Sequence, residues 1–313
     1  MNQLKKLFNG ESKYISLVDQ AFLSLINFGS IFVISKLASI SVFSSFVVTY
    51  SYLFFIFLFS TIFLSNPILL FLKKKWEASE EKYLLIIILL NVILNVLFSL
   101  TLFYFLSNQI EGVSYFSFFL ISLSMTTFDI LRRFIYSSKS INIIFSFFSS
   151  FSLNLFFFGL IFIFKDQLKL DIILNIYWVS FSLAISCILI VFYLKKIIFN
   201  KLDKKITLSF IQDVFYTHFN YSKWLILGGI AFWSYSQGIY IMAKSFNVSD
   251  IVLGKVRTIQ NLLGIFNILA ITIENHYTPI FSSNIKNNLI SETIPFLKDF
   301  FKHNTIKIIF CLQ

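Results

Sequence analysis

Charged and amide side chains recur at helical spacing near the end of the sequence, where they could hold a polar ligand inside a membrane. At 100° per residue they share one face of a helix: Arg257, Gln260, Asn261, Gly264, Asn267, Glu274 and Asn275. The face extends about 27 Å at 1.5 Å per residue, which is close to the depth of a hydrocarbon core. Packing against a single helix needs only about one or two such residues, so the pattern predicts a polar, water-lined surface.

Two other segments carry weaker polar faces. One combines Asp19 with Gln20, Ser24, Asn27 and Ser35, and the other combines Ser122 and Thr126 with Asp129, Arg132 and Arg133. Three polar faces predict a shared water-filled interior. Ordinary hydrogen bonding between helices is the alternative for the Ser and Thr residues. Arg132 and Arg133 also suit cationic anchors at a cytoplasmic helix end, with Asp129 as their neighbour on the same helix, and Asp19 also suits a helix cap.

Cysteine and histidine give no sign of a metal centre. Cys187 and Cys311 are too few for a thiolate cluster, and His218, His276 and His303 lie too far apart for a pair of ligands on one helix. We therefore expect no metal and no cofactor.

Long apolar helices must position these side chains. The 313 residues are 57% hydrophobic and 13% charged, with a mean hydropathy of +0.81, whereas about a quarter of a soluble domain is charged. This composition excludes a soluble domain and a disordered chain. Eight runs are long enough to span a membrane: 15–35, 42–64, 83–106, 114–131, 141–164, 172–194, 224–243 and 256–273. A ninth begins at Thr305, and the predicted fold is an all-α polytopic membrane bundle.

The distribution of basic residues predicts the orientation of the chain. The formal net charge is +11, and alternating loops would place 19 Lys and Arg residues on the side of the N-terminus and six on the other side. Cytoplasmic loops concentrate basic residues, so we predict a cytoplasmic N-terminus. Topology and contact with anionic membrane lipids account for the charge, and no nucleic-acid partner is expected.

A weak internal repeat suggests two bundles. In each unit an apolar helix ends in a lysine (Lys36 or Lys244), a short link follows, and a second helix runs to a proline (Pro67 or Pro279) that is predicted to end it. Transporters built from two related bundles show such repeats, and chance similarity of apolar helices is the alternative. We predict an N-terminal six-helix lobe over residues 1–200 and a partial C-terminal lobe over residues 201–313.

Several short motifs carry a family resemblance. They are Val18-Asp19-Gln20 at the first helix, Asn66-Pro67 at the second, Asp129 to Arg133 followed by Lys139 at the fourth, and a block with Gly254, Arg257, Gln260, Asn261, Glu274-Asn275 and Pro279. Together they resemble polysaccharide flippases of the O-antigen type, within the multidrug/oligosaccharidyl-lipid/polysaccharide exporter superfamily. Such proteins usually have twelve or more helices in two lobes, so the resemblance implies a chain that is truncated at its C-terminus.

The resemblance implies that the chain moves an oligosaccharide on an undecaprenyl pyrophosphate carrier across the bacterial inner membrane by rocking of two lobes. Membrane lipids, glycan polymerases and glycosyltransferases are then further partners. A pyrophosphate in low dielectric needs cations, and Arg binds it bidentately. The candidate ligands are Arg257 first, with Gln260 and Asn261, and then Lys36, Lys244, Arg132 and Arg133. Asp19, Asp129 and Glu274 are the candidates for proton or sodium coupling.

Three other interpretations remain open. A multidrug exporter of the same superfamily would favour an acidic, aromatic cavity. A membrane-bound glycan polymerase or acyltransferase needs a positioned acid, base or nucleophile, but the predicted outward loops have only about six to fourteen residues and no histidine, so we expect no enzyme. The third interpretation is a nonfunctional truncated remnant.

Overall fold

The computed structural model describes residues 12–110, 112–138, 142–194 and 206–263. Within these residues the chain is helical and has no strand, which confirms the predicted all-α bundle. Ten α-helices follow one another: α1 (Ser12–Leu37), α2 (Ile40–Ser60), α3 (Asn66–Lys75), α4 (Glu80–Ser107), α5 (Tyr115–Ser137), α6 (Ile144–Ile163), α7 (Leu170–Leu194), α8 (Leu208–Trp233), α9 (Ile239–Ser245) and α10 (Asp250–Leu263).

Six stretches in the described part are long and apolar enough to cross a membrane: Val18–Leu37, Ile40–Lys75, Glu77–Ser107, Ile144–Ile163, Leu170–Phe192 and Leu208–Ser245. The chain therefore has the character of a membrane protein. The predicted fourth span is the helix α5, which carries three charged residues and is not among the six. The predicted eighth span is described only up to Leu263, and the predicted ninth lies outside the described residues. The division into lobes stays a prediction.

Two of the stretches are long helices with a π turn inside them. The π turn Thr61–Ser65 joins α2 to α3, and the π turn Ser234–Gly238 joins α8 to α9. The prediction that Pro67 ends the second span is wrong, because Pro67 lies in the first turn of α3 and the helix continues to Lys75. The wider π turn before it accommodates the missing N–H and the bulk of the proline ring. The predicted seventh span is also too short, since its helix begins at Leu208.

Serine side chains cap the starts of two of the described helices. The Oγ of Ser39 accepts a hydrogen bond from the backbone N–H of Val42 at 3.5 Å, at the start of α2. The Oγ of Ser114 does the same for Ser117 at 3.0 Å, at the start of α5. Such caps satisfy backbone N–H groups that have no partner within the helix, so they determine the residue at which each helix begins.

The interior of the bundle is filled by aromatic and branched side chains. Phe118, Phe134, Phe157 and Phe192 are fully buried where α5, α6 and α7 pack together. One side of α4 instead exposes a row of large apolar residues: Leu89, Ile93, Leu97 and Leu100. A row of this kind suits contact with lipid chains, because the chains are as apolar as the side chains of a protein core.

Gly229 on α8 packs closely against Ile62 in the π turn between α2 and α3. A Cβ atom on Gly229 would lie 2.3 Å from Cδ1 of Ile62, whereas a Cβ on the neighbouring Gly228 would meet nothing within 4 Å. We expect Gly229→Leu to destabilise the bundle by about 1 to 3 kcal/mol through overpacking, and Gly228→Leu to be close to neutral. Thermal unfolding of both variants in the same detergent measures the difference. Equal melting temperatures would contradict the packing described here.

Candidate functional site

The first polar site is a group of four buried charged residues, Asp19, Asp129, Arg132 and Arg133, which we call the charge cluster. Asp19 comes from α1 and the other three come from the second half of α5. Asp19 is 0% exposed and the other three are at most 5% exposed. Two carboxylates and two guanidinium groups make the cluster formally neutral, which lowers the cost of burying it.

Asp19 accepts four hydrogen bonds from two neighbouring helices. Nη1 of Arg132 lies 2.9 Å from Oδ2, and the hydroxyls of Tyr136, Ser146 and Ser150 donate to the same carboxylate. Ser146 and Ser150 are one turn apart on α6, so their hydroxyls point the same way. Asp19 therefore ties α1 to both α5 and α6.

Asp129 connects the charge cluster to the π turn of the α2–α3 helix. Nε of Arg133 lies 3.2 Å from both carboxylate oxygens of Asp129, and Nη2 of Arg132 lies 3.6 Å from Oδ1. Thr61 donates to Oδ2 at 3.2 Å, and Nη1 of Arg133 donates to Oδ1 of Asn66 at 2.6 Å. The cluster thus joins α1, the α2–α3 helix, α5 and α6 through one connected network.

Arg132 and Arg133 are buried, which does not fit cationic anchors exposed at a helix end, and the side of the membrane on which they lie stays a prediction. Helix α5 continues past the predicted end at residue 131 to Ser137, and it carries both guanidinium groups into the bundle. The prediction that Asp129 pairs with them along the same helix is confirmed. Arg132 therefore pairs with Asp19 and Asp129, and Arg133 pairs with Asp129. The coupling role of these two acids stays a prediction.

The second polar site surrounds Arg257, and we call it the Arg257 cage. Arg257 on α10 is 6% exposed, and its Nη1 donates to Oε1 of Gln237 at 2.8 Å and to Oε1 of Gln260 at 3.1 Å. Its Cζ lies 5.3 Å from the ring centre of Tyr50 and 5.5 Å from that of Tyr240. Two amide oxygens and two aromatic faces therefore hold the guanidinium.

The π turn between α8 and α9 shapes this cage. Gln237 lies in the turn, and Nε2 of Gln260 donates to the backbone carbonyl of Ser236 at 2.7 Å. The Oγ of Ser236 is buried and has no hydrogen-bond partner among the described residues. A regular helix would direct these groups differently, so the turn places an unused hydroxyl beside the Gln237 that binds Arg257.

Arg257 makes no ion pair with a carboxylate in the described part of the chain. Its partners there are neutral amides and aromatic rings. Burying a guanidinium without a counter-charge costs several kcal/mol, and amides and rings offset only part of that cost. The cage is therefore an electropositive point inside the bundle, and its chemistry favours an anion.

The other candidate residues lie elsewhere. Nδ2 of Asn261 donates to the backbone carbonyl of Phe28 at 3.0 Å, so Asn261 packs α10 against α1. Lys36 is exposed at the end of α1, with its Nζ 5.9 Å from the ring of Phe32. Glu274 lies outside the described residues.

Lys244 is engaged in an ion pair near the ends of α9 and α10. Its Nζ lies 2.9 Å from Oδ1 of Asp250, which also accepts a hydrogen bond from Ser44 at 2.7 Å. Partial burial raises the pKa of Asp250, but the hydrogen bonds from Lys244 and Ser44 and the charge of Lys244 outweigh it and lower that pKa. This stabilising contribution is present above the ordinary carboxyl pKa and is lost as the pH falls through the lowered value.

The three predicted polar faces meet at two separate sites. The faces of α1 and α5 meet in the charge cluster, while the face of α10 packs against α1, α2 and α9 around the cage. Asp19 and Phe28 mark the two levels on α1, and nine residues of helix separate them by about 14 Å. Among the described residues of these faces, protein partners engage the charged side chains, whereas Asn27 on α1 is exposed. The predicted face beyond Leu263 lies outside the described residues.

Sequence reasoning missed most of the partner side chains. Ser146 and Ser150 had the spacing of one helix face, but a Ser pair in an apolar helix gives no sign that it faces a carboxylate. Gln237, Tyr50 and Tyr240 had no periodic signal at all. His218 was considered only as a metal ligand, whereas it binds a backbone carbonyl.

Comparisons with protein-family models, with curated proteins and with solved structures find no match to this chain.

Proposed function

We propose that the chain moves an oligosaccharide linked to undecaprenyl pyrophosphate across the bacterial inner membrane, with its N-terminus in the cytoplasm, and that it is a transporter and not an enzyme. The observation that carries this proposal is the Arg257 cage. A buried guanidinium without a carboxylate partner in the described residues is expensive to maintain, and a substrate anion offsets that cost when it binds.

The cage suits phosphate oxygens in particular. Nη1 of Arg257 is used by the two glutamine oxygens, and its Nε and Nη2 have no protein partner among the described residues. A guanidinium edge of this kind makes paired hydrogen bonds to phosphate oxygens. The unpartnered hydroxyl of Ser236 supplies a further donor at the same turn.

The charge cluster has a different role in this proposal. Its four charges neutralise one another, so it holds α1, α5 and α6 together as a rigid unit while Arg257 binds the substrate. Ion coupling through Asp19 or Asp129 then requires that protonation release Arg132 or Arg133. Lys36 and Lys244 act as helix-end cations and not as ligands.

Transport by purified chain in proteoliposomes tests the proposal. The probe is a short fluorescent oligosaccharide on a polyprenyl pyrophosphate, and the control is the same oligosaccharide on an uncharged polyprenol. The measurement is the rate at which the glycan becomes inaccessible to an impermeant oxidant outside the vesicle. We expect at least about a tenfold faster rate for the pyrophosphate carrier than for the neutral one, since binding energy from the anion drives entry.

Other outcomes separate the rival functions. Movement of lipophilic cations without movement of the glycan would favour a multidrug exporter. A change in glycan mass would identify a polymerase or transferase. Rates that are the same with and without protein, for the glycan and for the lipophilic cations, would contradict both transport functions.

A further inference from the structure

The break in the α2–α3 helix leaves backbone carbonyls without donors. In the π turn the N–H of Asn66 donates to the carbonyl of Thr61, five residues earlier. The carbonyls of Ile62 and Phe63 come next, and in a π or an α pattern each would accept a hydrogen bond from the N–H of residue 67. Residue 67 is a proline and has no N–H. Such groups are tolerated at membrane depth only when a neighbouring helix satisfies them.

Helix α8 supplies both missing donors from side chains one turn apart. Oγ of Ser222 donates to the carbonyl of Ile62 at 2.9 Å, and Nδ1 of His218 lies 2.8 Å from the carbonyl of Phe63. Both side chains are 0% exposed. Because a carbonyl can only accept, Nδ1 of His218 carries the proton of this hydrogen bond.

The other nitrogen of His218 reaches a third helix. Nε2 lies 2.8 Å from the hydroxyl of Tyr83 on α4, which donates to it when the imidazole is neutral. The ring of Trp76 stacks on that of Tyr83 at 4.5 Å, and the ring of Phe63 meets the imidazole edge to face. His218 is thus enclosed by aromatic rings where α8 meets the α2–α3 helix and α4.

The rest of the contact between the α2–α3 helix and α8 is apolar in the middle and polar at both ends. An apolar crevice opens beside the π turn, lined by Phe55, Leu58, Phe59, Ile62, Ile226, Gly229 and Ile230. Beyond His218, Lys75 pairs with Asp213 at 2.6 Å and donates to Thr217 at 3.1 Å, where both ion-pair partners are about half exposed. An exposed ion pair contributes little to stability, so the buried bonds of His218 and Ser222 carry most of the polar attachment at this end. At the other end, Nε1 of Trp233 donates to the backbone carbonyl of Ser51 at 2.9 Å.

We propose that His218 and Ser222 form a latch that docks the α2–α3 break onto α8, and that releasing it separates α3 from α8 at the Lys75 end. The side chains of His218 and Ser222 donate to the carbonyls that Pro67 leaves without a helical donor. The strength of the latch therefore depends both on α8 and on the break in the α2–α3 helix. The latch controls the opening of one helix pair, and it does not depend on whether the chain transports a glycan.

Thiol cross-linking measures the opening at each end of α8–α9. In full-length protein with Cys187→Ser and Cys311→Ser, one reporter pair is Lys75→Cys with Asp213→Cys. The reference pair is Gln109→Cys with Ser245→Cys, at a contact where Nε2 of Gln109 donates to Ser245 at 2.9 Å. We expect His218→Phe, which keeps a ring but loses two hydrogen bonds, to raise the opening equilibrium constant about fivefold for each buried hydrogen bond lost, and so to lower the cross-linking rate of the reporter pair. The reference pair keeps its rate.

Pro67→Ala separates carbonyl capture from simple packing. It restores an N–H that can serve Phe63 itself, so His218→Phe should lose most of its effect in the Pro67→Ala background. Ser222→Ala, which removes only a hydroxyl, should act in the same direction as His218→Phe and more weakly. An unchanged reporter rate in both latch variants, an equal fall at both pairs, or additive effects of Pro67→Ala and His218→Phe would each overturn the latch.

Discussion

Replacing Asp19 by alanine should cost the bundle about 3 to 5 kcal/mol, because it removes the nearer of the two carboxylates of Arg132 and leaves one positive charge uncompensated in the buried charge cluster. Three hydroxyls, those of Tyr136, Ser146 and Ser150, lose their acceptor at the same time. The total stability of a folded protein is only about 5 to 15 kcal/mol, so this loss removes a large share of it, and we expect a lower melting temperature and a lower yield of folded protein. The measurement is the yield of monodisperse protein after detergent extraction, together with its melting temperature.

Asp166→Ala is the matched control, since Asp166 is an exposed acid in the short turn after α6. It removes the same charge without leaving a buried partner, and we expect the yield of the unchanged chain. If Asp19→Ala melted like Asp166→Ala, the ion pair with Arg132 would not hold α1 in place.

Removing both partners tests the reason for the loss. In the double variant Asp19→Leu, Arg132→Met the remaining pair of Asp129 and Arg133 is still neutral, and apolar groups replace the missing one. Buried ion pairs are often replaced by apolar groups with little cost, so the double variant should melt well above Asp19→Ala. A double variant as unstable as the single one would assign the loss to the hydroxyl network and not to the unpaired charge.

The lengths of the apolar runs predicted the helices well, because a chain in lipid has to satisfy its backbone within each segment. The partners across helices could not be predicted in the same way. Asp19 and Arg132 are 113 residues apart in sequence, and helical periodicity assigns each to a face without fixing the height or rotation of one helix against another. Because both the lipid and the bundle core are apolar, the apolar residues of a helix do not show how it is aligned with its neighbours.

Pro67 shows that the course of the backbone, too, depends on contacts that the sequence did not predict. Read locally, a proline removes a donor and ends a helix. The helix continues because His218, 155 residues from Phe63 in sequence, compensates for the lost hydrogen bond. The local sequence therefore predicts correctly where a helical hydrogen bond is lost. Whether the helix ends at that point depends on the tertiary structure.

Arg257 should behave in the opposite way to Asp19. We expect Arg257→Met to reduce glycan movement by at least about tenfold, since the bidentate contact to phosphate is lost. Its melting temperature should stay within about 4 °C of the unchanged chain, because the loss of two hydrogen bonds to glutamine is offset by removal of a buried charge that has no carboxylate partner in the described residues. Proteins commonly maintain such strained groups where a ligand uses them.

Two further variants separate charge from geometry at this position. Arg257→Lys keeps the charge but loses the paired donors, so we expect transport between that of Arg257→Met and that of the unchanged chain. Lys255→Ala removes an exposed cation from the same helix and should leave both transport and stability unchanged. If transport by Arg257→Met fell only in proportion to the amount of folded protein, Arg257 would be a structural residue. The anion would then have to bind elsewhere in the chain.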